Sequence, residues 1–205
     1  MILTKQFLAI DLLLVLLILP YSTHAVVFIS EEINTTPTPE NFSVCFDLSC
    51  KSIAQLSLNQ NQWQSIRQLF LPRANTAAKE REHIGRAIAR MEQLVGEMTN
   101  TNKDKGENES TDDPRDHQMD CIDESTNTTN YIYMMQEAGL LQWHHIKEPV
   151  TRGFFFFGWP HTTAVIEEKA NATNWAIDSW FHDNGIKPEI IPLPQWKSGW
   201  HPETK

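Results

Sequence analysis

Residues 159–180 read WPHTTAVIEEKANATNWAIDSW. Two runs rich in β-branched and aromatic residues, 162–167 and 174–180, flank a short polar stretch. That pattern predicts two antiparallel strands joined by a tight connection. Outward from them, 153–159 and 189–193 read as further strands of the same sheet, the first apolar enough to be a central strand buried on both faces. The sequence before 139 carries a different period. Over 74–98, Ile84, Ala87, Ile88, Met91, Leu94 and Val95 recur on one helical face. A second helix is expected from Cys121 to about Ala138, with Asp120 as its cap and Gly139 as its terminator. Helices followed by strands indicate an α+β fold with N-terminal helices packed on a C-terminal antiparallel sheet.

The chain has 205 residues with a formal net charge of -9, and no Lys/Arg cluster offers a phosphate backbone a basic face, so a nucleic-acid role is excluded. Lys5, the apolar run 7–19, Pro20 and the small residues Thr23 and Ala25 describe a secretory signal peptide over 1–25. The run is short for a bilayer and contains Asp11, which argues against a stable membrane span. An uncleaved N-terminal anchor is the alternative. Residues 26–78 then form an N-terminal extension with helical spacing around Trp63, Ile66, Leu69 and Phe70, and 79–205 the main domain. Within that domain, 99–116 is expected to be a mobile acidic surface loop.

Export implies a periplasmic or secreted location where disulfides persist. Of three cysteines, Cys45 and Cys50 are close enough to pair across a short loop, leaving Cys121. A leftover thiol is often an inert core residue. Cys121, however, is expected in the first turn of a helix, where free N–H groups and the dipole favour a thiolate and the oxyanion formed when it attacks an acyl carbon. Asp120, Asp123 and Glu124 oppose this by raising the thiol pKa. His161, at the start of one strand, is the candidate base. Asp178, in the middle of the next, is the candidate group to orient it. Gln118, just upstream of the thiol, is a candidate side-chain donor to the oxyanion.

Three segments, Met119-Asp120-Cys121-Ile122-Asp123, Trp159-Pro160-His161-Thr162-Thr163-Ala164-Val165 and Asn174-Trp175-Ala176-Ile177-Asp178-Ser179-Trp180, carry a resemblance to the transglutaminase-like branch of the papain-like cysteine peptidases, including its bacterial cysteine proteinases. The resemblance implies Cys121 as nucleophile, His161 as general base and Asp178 as orienting acid. It implies an exported thiol hydrolase or acyltransferase acting on amide bonds of a protein, peptide or peptidoglycan substrate. No cofactor and no metal are implied. The competing readings are an inactive binding module of the same fold, and an envelope protein in which Cys121 makes an intermolecular disulfide.

Other features have plainer readings. His144-His145 would point to opposite faces of a strand and, with Glu148, is expected at the surface or in a loop. Residues 182–185 read as a turn, and the Trp-rich tail is expected to fold back over the sheet, with Trp180, Trp196 and Trp200 as a possible groove lining. The Asn127-Thr128-Thr129 triplet lies inside the second helix, where a glycan is incompatible with packing.

Overall fold

The computed structural model describes residues 32–108, 117–153 and 160–203. The signal segment, residues 109–116 of the acidic loop and the aromatic run at 154–159 lie outside the described residues. The fold is mixed helix and sheet, and both sheets are antiparallel. In chain order the elements are β1 (Phe42–Phe46), β2 (Ser52–Leu56), α1 (Gln60–Gln68), α2 (Ala77–Thr99), α3 (Cys121–Glu137), β3 (His144–Arg152), β4 (His161–Glu168), β5 (Thr173–Asp178), β6 (Glu189–Pro192) and α4 (Leu193–Lys197). β1 and β2 form a hairpin, and β3 to β6 form a four-stranded sheet in sequence order.

Local chemistry explains the helix ends. The Thr76 hydroxyl accepts from the Lys79 N–H at the start of α2, and Asn100 ends it in the left-handed conformation at φ 62°. α3 starts with a capping box in which Asp120 accepts from the Ile122 and Asp123 N–H groups while Asp123 accepts from the Asp120 N–H. Gly139, at φ +66°, follows it as the sequence predicts.

The predicted apolar face of α2 is buried along its whole length. It packs with Tyr131, Ile132, Met134 and Met135 of α3, Ala164 and Ile166 of β4, and Ile177 of β5 in one core. Phe42, Val44, Leu58, Ile66 and Phe70 from the N-terminal region join that same core. Because successive strand residues face opposite ways, Val165 and Ala176 point to the other side, where Leu193 and Trp196 of the tail cover them. β4 is therefore buried on both faces from His161 to Ile166.

The helical spacing around Trp63 and Ile66 falls on α1, and the β1–β2 hairpin before it was not expected. In the described part of the loop at 99–116, Asn100, Asn102, Lys103, Lys105 and Glu107 are exposed, while Thr101 and Asp104 are buried and Asp104 accepts from the Met119 N–H at 2.6 Å. His144 is neither in a loop nor on the surface. It opens β3 fully buried, with Nδ1 3.0 Å from Glu80 Oε1. The Glu80 carboxylate also accepts the N–H groups of Gln142, Trp143 and His144, and these bonds offset its burial and hold its pKa low. His145 points the other way, to Glu167 at 3.0 Å.

Asn127 is also committed to the structure. Its side chain accepts from the Cys45 N–H at 2.7 Å and donates to the Cys45 carbonyl at 2.8 Å. Asn130 donates to the Ser43 carbonyl at 3.1 Å. α3 thus satisfies backbone groups of β1 with side-chain amides, where another strand would otherwise be required.

Candidate active site

The first residue of α3 and the first residue of β4 meet at one cavity. Cys121 lies at the first helical position, where backbone N–H groups have no partner within the helix. α3 contacts β4 along its length, and the backbone N–H of Thr162, the residue after His161, is directed at the Cys121 thiol. Cys121 and His161 line the same cavity, of about 730 Å³, together with Leu48, Ser49, Asp120, Arg152 and Trp180. Cys121 is the free cysteine of the chain, and Cys45 and Cys50 form the expected disulfide.

Behind His161 sits Asp178, the last residue of β5 and only 2% exposed. His161 Nε2 lies 2.7 Å from Asp178 Oδ2. The same oxygen accepts a hydrogen bond from Trp196 Nε1 at 2.6 Å. A buried carboxylate needs such donors, because an unpaired charge in an apolar interior is costly. The imidazole is further enclosed by the rings of Trp180, Phe181 and Trp196 at 4.7, 5.5 and 5.5 Å between centroids. The arrangement leaves Nδ1 as the ring nitrogen without a partner among the described residues, and it orients the base rigidly.

The thiol itself is not activated at rest. Burial pushes Cys121 up to about 12, and the charges of Asp120 and Asp178 act in the same direction. The Thr162 and Cys121 backbone N–H groups work against these effects without cancelling them. Any nucleophilic role therefore needs the proton to be taken by a neighbouring base.

No protein-family model, curated protein or solved structure matches the chain. The geometry alone bears on the site.

Gln118, the candidate side-chain donor, bonds to the loop that precedes it. Its Nε2 donates to the Lys103 carbonyl, and its Oε1 accepts from the Lys105 N–H and the Asn108 side chain. It fastens the start of the acidic loop and is absent from the cavity wall. Of the tryptophans expected to line a groove, Trp180 does so, Trp196 is fully buried behind the imidazole, and Trp200 packs edge-on against Phe181.

Two roles went unread in the sequence. The bond from Trp196 to Asp178 is one: the tail was expected to fold back over the sheet, but nothing pointed to this partner 18 residues away. Arg152 supplies the other. It is the cross-strand partner of His161, stacks on the Trp196 ring at 4.5 Å, and donates through Nη1 to the Trp196 and Trp200 carbonyls.

Among the described residues, the one cluster with metal-ligand proximity is Cys45, Cys50 and Asp123, and its two sulfurs are consumed by the disulfide.

Proposed function

We propose that the chain is an exported thiol hydrolase or acyltransferase acting on amide bonds through Cys121, His161 and Asp178, with a transglutaminase-like or papain-like core. The observation that carries this reading is the buried His161–Asp178 contact of 2.7 Å beside a cavity that Cys121 shares. A structural histidine needs no such cavity, and an inert core cysteine would not border one with a histidine held in a single orientation.

In the first half-reaction, Cys121 Sγ attacks the amide carbonyl as His161 Nδ1 takes the thiol proton. The S–C bond forms, the proton passes from the imidazolium to the departing nitrogen, and the C–N bond breaks to leave a thioester. Water or an amine then attacks the thioester and gives its proton to His161, and the thiol is restored. Asp178 keeps Nε2 as the protonated nitrogen before the reaction and stabilises the imidazolium during it. The Cys121 backbone N–H, at the positive end of α3, takes the oxyanion contact. Because the thiol rests protonated, general-base transfer is favoured over a standing ion pair.

The disulfide is consistent with an oxidising compartment, as the proposed periplasmic or secreted location requires. No helix among the described residues is long and apolar enough to cross a membrane. The high thiol pKa gives substance to a second reading, a binding module that keeps the fold without the chemistry.

An acyl-transfer assay separates the two. A p-nitrophenyl ester should release p-nitrophenolate in a burst and leave the acyl group on the peptide containing Cys121, and both Cys121→Ser and His161→Ala should remove the burst. Acylation confined to lysines, or a burst that survives both substitutions, would leave the binding-module reading in place.

A further inference from the structure

The cavity wall contributed by the sheet edge and the C-terminal tail is cationic. Arg152 and Lys197 both face the cavity that holds Cys121 and His161. Neither forms an ion pair with a carboxylate among the described residues, although acidic side chains outnumber basic ones by 26 to 17 in the chain. Arg152 spends Nη1 on the Trp196 and Trp200 carbonyls and lies over the Trp196 ring, which fixes its plane. Its remaining guanidinium donors have no hydrogen-bond partner among the described residues. Burial lowers its pKa and the charge of Asp178 opposes that; a guanidinium stays charged in proteins.

The acidic residue on the opposite wall has its oxygens occupied. Asp120 Oδ1 accepts from the Ile122 and Asp123 N–H groups, and Oδ2 accepts from the Ser49 N–H and hydroxyl. Its lone pairs are committed to the helix start and the hairpin loop. Among the described residues, a bound molecule meets the Asp120 carboxylate on one wall and Arg152 and Lys197, with donors to spare, on the other.

We infer that the cavity selects an acyl donor carrying a carboxylate close to the reacting amide, bound by Lys197 and Arg152 while Cys121 attacks. The inference rests on the catalytic reading above. The carboxylate is either the free C-terminus of a peptide or an acidic side chain within one, and both present the same group to the same wall.

Two haloacetates of nearly equal size, one anionic and one neutral, provide the test. Each alkylates a thiol by forming S–C as C–I breaks and iodide leaves. The ratio of the iodoacetate rate to the iodoacetamide rate at Cys121 should exceed that of N-acetylcysteine amide. It should fall by about threefold or more in Lys197→Met and further in Lys197→Glu, and it should decline as salt is raised. Lys197 is exposed at the end of a short helix, so these variants keep the packed tail that an Arg152 variant would loosen. Protection of Cys121 from iodoacetamide then separates the sources: an acetylated dipeptide free acid, its amide, and an amidated peptide with an internal Glu are compared. Protection by either acid above the neutral amide supports the subsite and names its source. A rate ratio indifferent to Lys197 and to salt, with equal protection by all three peptides, overturns the subsite. Loss of His161 dependence with a Lys197-dependent ratio would instead sink the catalytic reading alone.

Discussion

Asp178 Oδ2 meets two groups at once, His161 Nε2 and Trp196 Nε1, and that shared oxygen explains much of the site. A hydrogen bond to a buried charge is worth about 1.5–3 kcal/mol. Trp196→Phe keeps most of the ring and removes only the donor. It should lower unfolding stability by about 2 kcal/mol, read from the denaturant midpoint, and slow acylation of Cys121 in the same protein. Asp120→Asn probes the other side of the thiol. Asn caps a helix as well as Asp does, so α3 should start normally. Removing the charge relieves one of the influences that raise the Cys121 pKa, so alkylation at a fixed pH below that pKa should become several-fold faster. An unchanged rate would mean that Asp120 is screened from the sulfur. Cys121, His161 and Asp178 were legible because each stands at a position with its own physical signature: a helix start, a strand start and a charge set among apolar strand residues. The fold-back of the tail over the sheet was legible too, but not the bond from Trp196 to Asp178, since nothing local to the tail indicates which strand residue it will meet.

At the scale of elements, the hairpin loop is the least conventional part. Asp47, Leu48, Ser49 and Cys50 all have positive φ, at 68°, 66°, 57° and 54°. Each such residue costs on the order of 1 kcal/mol for a side chain with a Cβ. The loop is held by the side chains that start α3: Asp120 accepts from Ser49 and Asp123 accepts from the Cys50 N–H at 2.7 Å. Asp123→Ala should therefore cost about 2 kcal/mol by removing a capping partner and an anchor together. The change should also show as faster amide exchange at Ser49 and Cys50. An effect confined to α3, with the loop amides unmoved, would separate the two roles. α2 and α3 were readable from apolar period and caps. β1 and β2 were not, because their stability comes from α3, whose Asn127 and Asn130 bond to Cys45 and Ser43 across 82 and 87 positions. β3 was hidden as well. It carries exposed Lys147 and Glu148, then Pro149, and its register with β4 shifts between Lys147 and Val150.

The whole molecule carries an unusual number of buried acids near the site. Burial pushes Asp104 up to about 7, Glu92 and Asp123 up to about 8, and Glu124 well above its ordinary range. Among the described residues Glu92 Oε1 has no hydrogen-bond partner, which makes ionisation there still less favourable. Their folded pKa values exceed those of the unfolded chain, so the folded protein binds more protons between them. This contribution to stability is complete below about pH 4 and is lost as pH rises through about 7 and 8. Glu80, whose pKa is lowered, acts oppositely and weakens the fold only on the acid side of the ordinary carboxylate range. The melting temperature should therefore fall by about 5 °C or more between pH 5.5 and pH 8.5. A flat or rising profile would mean that these carboxyls ionise without penalty. That acids lie at 92, 104, 123 and 124 was plain from the sequence. That they would be buried was not, since an acidic loop and a helix start both suggest solvent.

In the proposed mechanism His161 makes a reluctant thiol reactive, and the pH dependence of Cys121 alkylation by iodoacetamide reads that step. Alkylation near neutral pH should be slower in His161→Ala than in the wild type by about 100-fold or more, because the thiol that burial pushes up to about 12 then has no base to take its proton. A single rising limb shared by both proteins, with no reactivity near neutral pH that depends on the imidazole, would contradict it.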